Sequence, residues 1–230
     1  DPYLTSRLGV RFVEGLQGHD ENYLKAAACA KHFAVHSGPE ELRHEFDAEV
    51  SAKDLWETYL PAFEACVTEA KVEGVMGAYN RVNGEACCAS KTLMQDILRG
   101  KWGFDGYYTS DCWAIKDLHE NHGITNTATE SAALALKAGC DINCGNIYLR
   151  VLQAHQEGLV TEEDITAAAE HVMSTRLRLG LFAEDCEYDE IPYDVVACKE
   201  HRRVAIRAAE KGVVLLKNDG ILPLDKERRA

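Results

Sequence analysis

No stretch of this sequence reaches the roughly 18 apolar residues that a membrane-spanning helix needs. There is no GxGxxG and no GxxxxGK[ST], so neither a dinucleotide fold nor a P-loop is signalled. HExxH and GxSxG are also missing, which removes the usual metalloprotease and serine-hydrolase signatures. No CxxC pair occurs, and no Cys/His cluster has zinc-finger spacing. The sequence therefore implies no metal and no cofactor. Basic patches are lacking as well. Lys plus Arg number 25 against 38 Asp plus Glu, a formal charge of −13, and the densest basic run is KERR at 226–229, which reads as a solvated tail. An acidic surface repels phosphate backbones, so nucleic acid is set aside as a partner.

What is present is an ordinary globular mixture. The 230 residues are 46% hydrophobic and 27% charged, enough for one large domain or two small ones. Cysteine is abundant, with nine residues, but the count is odd and excludes a fully paired disulfide scaffold. Most of the cysteines read as small buried hydrophobes. The chain opens on DPYLTSRL, already a turn and helix, and stops just after LLKNDGILPL. Both ends are expected to be cuts through a larger protein, a processed mature chain being the alternative.

Periodicity gives an α/β rhythm. Leu4, Leu8, Phe12 and Leu16 fall on one face of a helix that Gly18 ends. KAAACAKHFAV (25–35) is expected to be a strand in its second half. Ser51 and Asp54 cap a helix whose stripe is Leu55, Tyr59, Phe63 and Cys66, with Pro61 as the expected kink. VEGVMGAYN (72–80) is a short strand, and Ser90 starts a helix that Gly100 is expected to stop. FDGYYTSD (104–111) is an aromatic strand, 129–138 a helix, and Cys140–Ile142 another short strand. Helices follow over NIYLRVLQAHQEGLV and, capped by Thr161 and Asp164, over EEDITAAAEHVMSTRLRLGLF. GVVLLKN (212–218) reads as a last strand.

Strand–helix alternation predicts parallel strands. The strand ends run repeatedly into polar residues: Lys31-His32, Tyr79-Asn80, Ser110-Asp111 and Asp141-Asn143. Several polar strand ends favour a barrel, whose site lies on the C-terminal rim, over a doubly wound sheet with one switch point. Only four barrel-like strands are visible, so the expectation is a partial (β/α)8 TIM-like barrel whose first strands lie upstream of Asp1. Such an open barrel would expose strand edges, which suggests self-association or a complementing chain.

Asp111 is the leading candidate for chemistry, since a carboxylate at a strand tip can serve as nucleophile, base or ligand. Taken alone it could equally be a turn or cap residue. Lys31 and His32 suit hydroxyl binding, but also a surface lysine beside a satisfied histidine. Arg43 reads as a solvated charge, and Met76 and Tyr79 as core. His119 and His122, three apart, read as solvated imidazoles rather than metal ligands.

The segments DPYLTSRL, KHFAVHSG (31–38), RHEFDAEVS (43–51), VMGAYNRVNG (75–84), LRGKWGFDGYYTSDCW (98–113), ESAALALKAGCDINCG (130–145), RLGLF (178–182) and GVVLLKNDGILPL (212–224) together resemble glycoside hydrolase family 3. Any one is weak, but eight in order cover essentially the whole chain. The resemblance implies a barrel domain over 1–182, a linker and helix over 183–211, and the start of an α/β sandwich domain over 212–230. It implies retaining, exo-acting β-glycoside hydrolysis, with Asp111 as nucleophile. Lys31, His32, Arg43, Met76 and Tyr79 would line the sugar subsite, with Cys112 and Trp113 beside them. Lys31 and Arg43 would favour the ionised nucleophile. The acid/base glutamate of most members belongs to the second domain. His36 matches a family histidine, but the loop GPEELRHE lacks the Asp-x-His of the N-acetylglucosaminidase branch.

Cys112 after the nucleophile, and the RHEF segment, resemble the β-xylosidase branch more than β-glucosidases, with α-L-arabinofuranosidase a further alternative. The substrate implied is a xylo-oligosaccharide or small β-glycoside. A different class, a silent carbohydrate-binding or assembly fragment, stays open, and the fragment alone is expected to be inactive. Periplasmic or secreted location of a full-length bacterial protein is the expectation. Cys112 and Cys144 follow Asp111 and Asn143 at two strand ends, and xylosidase-like members share both cysteines. A bridge between them is the expectation, with two unlinked thiols as the alternative.

Overall fold

The computed structural model describes residues 1–225, so the KERR run at 226–229 lies outside the described residues. The chain divides into two compact units, Asp1–Asp185 and the residues from Cys186 onward.

In the first unit, helix α1 (Pro2–Gln17) starts where Asp1 accepts the Leu4 N–H at 3.0 Å and Pro2 occupies the first turn. Strand β1 (Cys29–Phe33) follows. Ser51 caps α2 (Ala52–Asp54) by accepting the Asp54 N–H at 3.1 Å. The helix then widens into a π-turn over Leu55–Tyr59 and resumes as α3 (Pro61–Thr68). The expected kink takes this form: Pro61 has no N–H to give, and the Leu60 N–H reaches back to Leu55 O at 3.0 Å. Strand β3 (Gly74–Gly77) leads through a small sheet to a π-helix over Thr92–Lys101, then β6 (Tyr107–Ser110). The small sheet pairs β2 (Asp47–Ala48) parallel to β4 (Arg81–Val82), and β4 antiparallel to β5 (Glu85–Ala86). Helices α4 (Ala114–Glu120), α5 (Ala128–Ala138), α6 (Val151–Gln156) and α7 (Glu162–Arg178) complete the unit. Thr161 and Asp164 form the expected capping box at the start of α7.

The main sheet is parallel, in the order β1-β3-β6, and a bridge from Thr109 to Ile142 adds a fourth position. Parallel strands that neighbour each other in chain order fit a barrel wall when helices cover one face alone, whereas a doubly wound sheet carries helices on both faces. Helices cover one face. There Phe33, Val75 and Tyr108 are fully buried, each contributing on the order of 1.5–3 kcal/mol by leaving water. Phe33 meets Phe63, Trp102 and Tyr108 edge-on, at centroid distances of 5.0, 5.9 and 6.5 Å. The wall tolerates no bulk at Gly106, where a Cβ would stand 2.0 Å from Glu73 O.

Two helix readings are corrected. The Leu4, Leu8, Phe12 and Leu16 stripe of α1 is exposed, and the helix buries Ser6, Val10, Val13 and Gln17 instead. Gln17 is drawn inward because it bonds both Lys71 O and the Glu73 N–H. Leu8 and Phe12 line an open groove of about 630 Å³ with Cys29, Lys31 and Phe63. Gly100 does not stop its helix, which continues to Lys101. The chain turns at Gly103, whose φ of +68° lies in the left-handed region glycine favours.

The second unit carries α8 (Lys199–Gly212). The expected strand at 212–218 does not form: Gly212 ends α8, and Val213 and Leu216 are 76% and 92% exposed. A strand needs a neighbour for its N–H and C=O groups, and the described residues of this unit contain no strand.

Candidate active site

Asp111 is the first residue past β6 and sits at its C-terminal end. Its side chain is 14% exposed, and Oδ2 lies 3.2 Å from His32 Nε2. Oδ1 accepts the Cys112 N–H at 2.7 Å, and the Tyr79 phenol lies close enough to feel the charge of the same carboxylate. Burial and the Asp111 charge both push the Tyr79 phenol above its ordinary value, so it stays protonated. Burial is also the largest influence on His32 and lowers its pKa against the pull of Asp111, with Lys31 and His36 lowering it further. His32 therefore faces the carboxylate as a neutral imidazole at neutral pH.

Strand alternation explains who shares this face. Met76 pairs across from Thr109, and Thr109 lies two residues before Asp111, so half-buried Met76 is on the same side. Tyr79 lies just beyond β3, under the Arg43 guanidinium, whose Cζ is 5.4 Å from the ring centroid. Lys31 is exposed and lines the apolar groove rather than contacting Asp111. Arg43 is ion-paired with Glu40. The expectation that these two cations adjoin the nucleophile is thus not met by any ion pair among the described residues. The groups that meet Asp111 are His32 and Tyr79.

Cys112 and Cys144 form a disulfide with Cα atoms 4.4 Å apart. Backbone bonds align the same two loops: the Trp113 N–H donates to Cys144 O at 2.6 Å, and the Cys144 N–H to Ser110 Oγ at 3.0 Å. Trp113 has φ +69°, is half exposed and places Cε3 3.3 Å from where a Cβ on Gly145 would be. A glycine at 145 leaves room for that ring.

Of the polar strand ends, two do other work. Asn80 is buried and its amide donates to Ala34 O, Val35 O and Arg81 O, bracing the turn after β1. Asp141 points away from the rim. It accepts from Arg99 at 2.9 Å and the Tyr108 N–H at 2.7 Å, and meets His171 at 2.9 Å. His119 and His122 are not solvated either: His119 meets Ser131 Oγ at 2.9 Å, and His122 is 8% exposed. Sequence reasoning passed over His44 and Asp117, which join at 2.8 Å beside Tyr79. His44 follows Arg43 in the RHEF segment, while nothing local marks Asp117. Among the described residues no group of three His, Cys, Asp or Glu is placed to hold a metal ion. No described helix is long and apolar enough to cross a membrane.

A parallel barrel-type wall with a hydrogen-bonded carboxylate at a strand's C-terminal end is the layout of an α/β-barrel enzyme. Residues 1–175 match the family model described as "Glycosyl hydrolase family 3 N terminal domain". The chain belongs to that family. It is 43% identical to a "Xylan 1,4-beta-xylosidase" of Xylanibacter ruminicola, over 98% of this chain and 27% of the relative. It is 40% identical to "Probable beta-D-xylosidase 7" of Arabidopsis thaliana, over 98% of this chain and 31% of the relative. Among solved structures it resembles a GH3 exo-beta-xylosidase in complex with a xylobiose aziridine activity based probe. The TM-score there is 0.91 at 35% identity, over 98% of this chain and 30% of that one. It also resembles a beta-glucosidase from Listeria innocua in complex with isofagomine, with a TM-score of 0.86 at 31% identity, over 97% of this chain and 32% of that one. The chain thus spans less than a third of the length of these relatives.

Proposed function

We propose that this chain supplies the nucleophile and one wall of the sugar subsite of a retaining, exo-acting β-glycosidase, a β-xylosidase releasing terminal xylose from xylo-oligosaccharides. The observation that carries this reading is Asp111: a largely buried carboxylate at a strand end, beside the protonated phenol of Tyr79 and faced by neutral His32. The similarity to proteins named as xylosidases supports the choice of sugar.

In such a reaction an Asp111 oxygen forms a bond to the anomeric carbon while the glycosidic C–O bond breaks, and the leaving oxygen takes a proton from a second carboxylic acid. Water then attacks the glycosyl-enzyme, its proton going to that same carboxylate, and Asp111 is released with net retention. The second carboxyl is assigned to the second domain of the full-length protein. His32, Lys31 and Arg43 bind sugar hydroxyls, and such bonds strengthen as the oxocarbenium-like state develops. Tyr79 holds the attacking carboxylate in orientation, and Met76, Cys112 and Trp113 border the subsite. Residues 1–182 are read as barrel, 183–211 as linker and helix, and 212–230 as the start of an α/β sandwich. The Cys112–Cys144 bridge supports a periplasmic or secreted location, since such bridges persist in oxidising compartments.

The test is hydrolysis of aryl β-xyloside, β-glucoside and α-L-arabinoside by the full-length protein and by D111A. Fastest turnover on the xyloside, with retained anomeric configuration by NMR and its loss in D111A, is the expected result. Faster turnover on the glucoside or arabinoside would reassign the sugar. Binding of xylose without any turnover would reassign the protein to a carbohydrate-binding role.

A further inference from the structure

The loop between β1 and β2 takes part in a side-chain network of which two members, His44 and Asp117, have no role in the proposed reaction. It begins at Asp117, on α4, the helix that follows Asp111. The Asp117 side chain is 5% exposed, and its Oδ2 lies 2.8 Å from His44 Nδ1. Its other oxygen accepts from Asn121 Nδ2 at 2.6 Å, so both carboxylate oxygens are engaged. The second ring nitrogen of His44, Nε2, receives the Arg43 Nε–H at 3.3 Å. A guanidinium can only donate, and a neutral imidazole has one donor and one acceptor nitrogen. Nε2 is therefore the acceptor, Nδ1 carries the proton, and that proton goes to Asp117. The buried carboxylate fixes the tautomer, as a carboxylate does for a histidine that must present a lone pair.

The ring so held does two things. Its face lies against Tyr79, with centroids 4.5 Å apart, and its lone pair anchors Arg43 over the same phenol. Glu40 holds Arg43 Nη1 from the other side. Nη2 makes no hydrogen bond to a described residue and is the donor left for a ligand. Tyr79 in turn neighbours the Asp111 carboxylate. Asp111 and Asp117 thus belong to one strand–helix unit, and each reaches out to the loops that hold the other walls of the site.

We propose that Asp117 and His44 are a positioning pair that sets Arg43 and Tyr79 around Asp111, through the sequence Asp117–His44–Arg43/Tyr79. This rests on the reading of Asp111 as nucleophile. Neither residue touches the reacting atoms, so the effect is on kcat more than on KM.

The test is a double-mutant cycle in the full-length protein on an aryl β-xyloside. H44F keeps an aromatic ring on Tyr79 and removes both nitrogens. It is expected to lower kcat about tenfold, since small misplacements cost rate heavily, with KM changed less than about twofold. In an R43A background the same change should cost less than about twofold, because members of one network are not additive. H44Q, which retains a donor and an acceptor, should recover most of the loss. D117N, nearly isosteric, should lower kcat about fivefold, again only when Arg43 is present. Thermal melts accompany each variant, and if H44F fails to fold, H44Q and D117N in both backgrounds decide. Losses that multiply with R43A, or wild-type kcat in both H44F and D117N, would overturn the proposal. An unaffected D111A would overturn the nucleophile reading and the pair with it; an inactive D111A beside an unaffected H44F would overturn the pair alone.

Discussion

Replacing Asp141 by alanine is expected to weaken the fold substantially. The Asp141 side chain is 2% exposed, and it takes a guanidinium hydrogen bond from Arg99 and the backbone N–H of Tyr108, with His171 against its other oxygen. Removing one partner of a buried ion pair costs roughly 3–5 kcal/mol, because the other charge stays buried and unpaired. Here Arg99 keeps its bonds to Phe104 O and Gly106 O and is 19% exposed, so it is partly relieved. The orphaned Tyr108 N–H acts the other way, at about 1–3 kcal/mol for an unmet buried donor. The lower part of the first range, about 3–4 kcal/mol, is the expectation. For a unit of this size each kcal/mol moves the melting point by about 2–4 °C, so D141A should melt roughly 6–16 °C below the parent. Calorimetry or circular dichroism reads the shift. The pair R99M/D141N, which removes both charges and keeps an acceptor for Tyr108, should regain more than half of it. A D141A melt within about 2 °C of the parent, or a double variant no better than D141A, refutes the account.

Y79F should lower kcat/KM by about ten- to a hundredfold on an aryl β-xyloside, since a hydrogen bond to a charged group is worth about 1.5–3 kcal/mol; steady-state rates that match the parent would sink this. Burial holds His122 below its ordinary imidazole pKa. The fold thus favours the neutral ring, and the stability from this group is fully present above about pH 6.5 and lost as pH falls through the folded value. Denaturant midpoints from pH 7.5 to 5 should fall, less steeply in H122N; identical slopes would remove His122 from the explanation. His32 adds to the same trend in both proteins, because burial lowers its pKa too. Separating Cys112 and Cys144, 32 residues apart, with C112S/C144S should cost about 3–4 kcal/mol in the chain-entropy account. Equal unfolding midpoints for the two proteins without reductant would show that the backbone bonds between Trp113, Ser110 and Cys144 already hold the loops.

The sequence by itself determined the features that depend on neighbours along the chain. Ser51 with Asp54 and Thr161 with Asp164 announce helix starts because capping needs residues three apart. Pro61 announces a break because it has no N–H to give. The parallel strands and the carboxylate at the end of β6 follow from alternating strand and helix patterns; two cysteines at matching strand ends left Cys112 and Cys144 either bridged or unlinked, and the structure joins them. What only the tertiary structure decided is which partner each side chain meets. Asp141 and Asp111 look alike as acids at strand ends, yet one reaches Arg99 across the helical layer and the other His32 on the rim. The α1 stripe has the right spacing for burial, but the helix packs through Ser6, Val10, Val13 and Gln17, and Gln17 bonds Lys71 O and the Glu73 N–H. GVVLLKN has strand composition and no strand beside it among the described residues. His44 and Asp117 come together only because α4 folds back onto the loop after β1, a contact between residues 73 positions apart that no local pattern encodes.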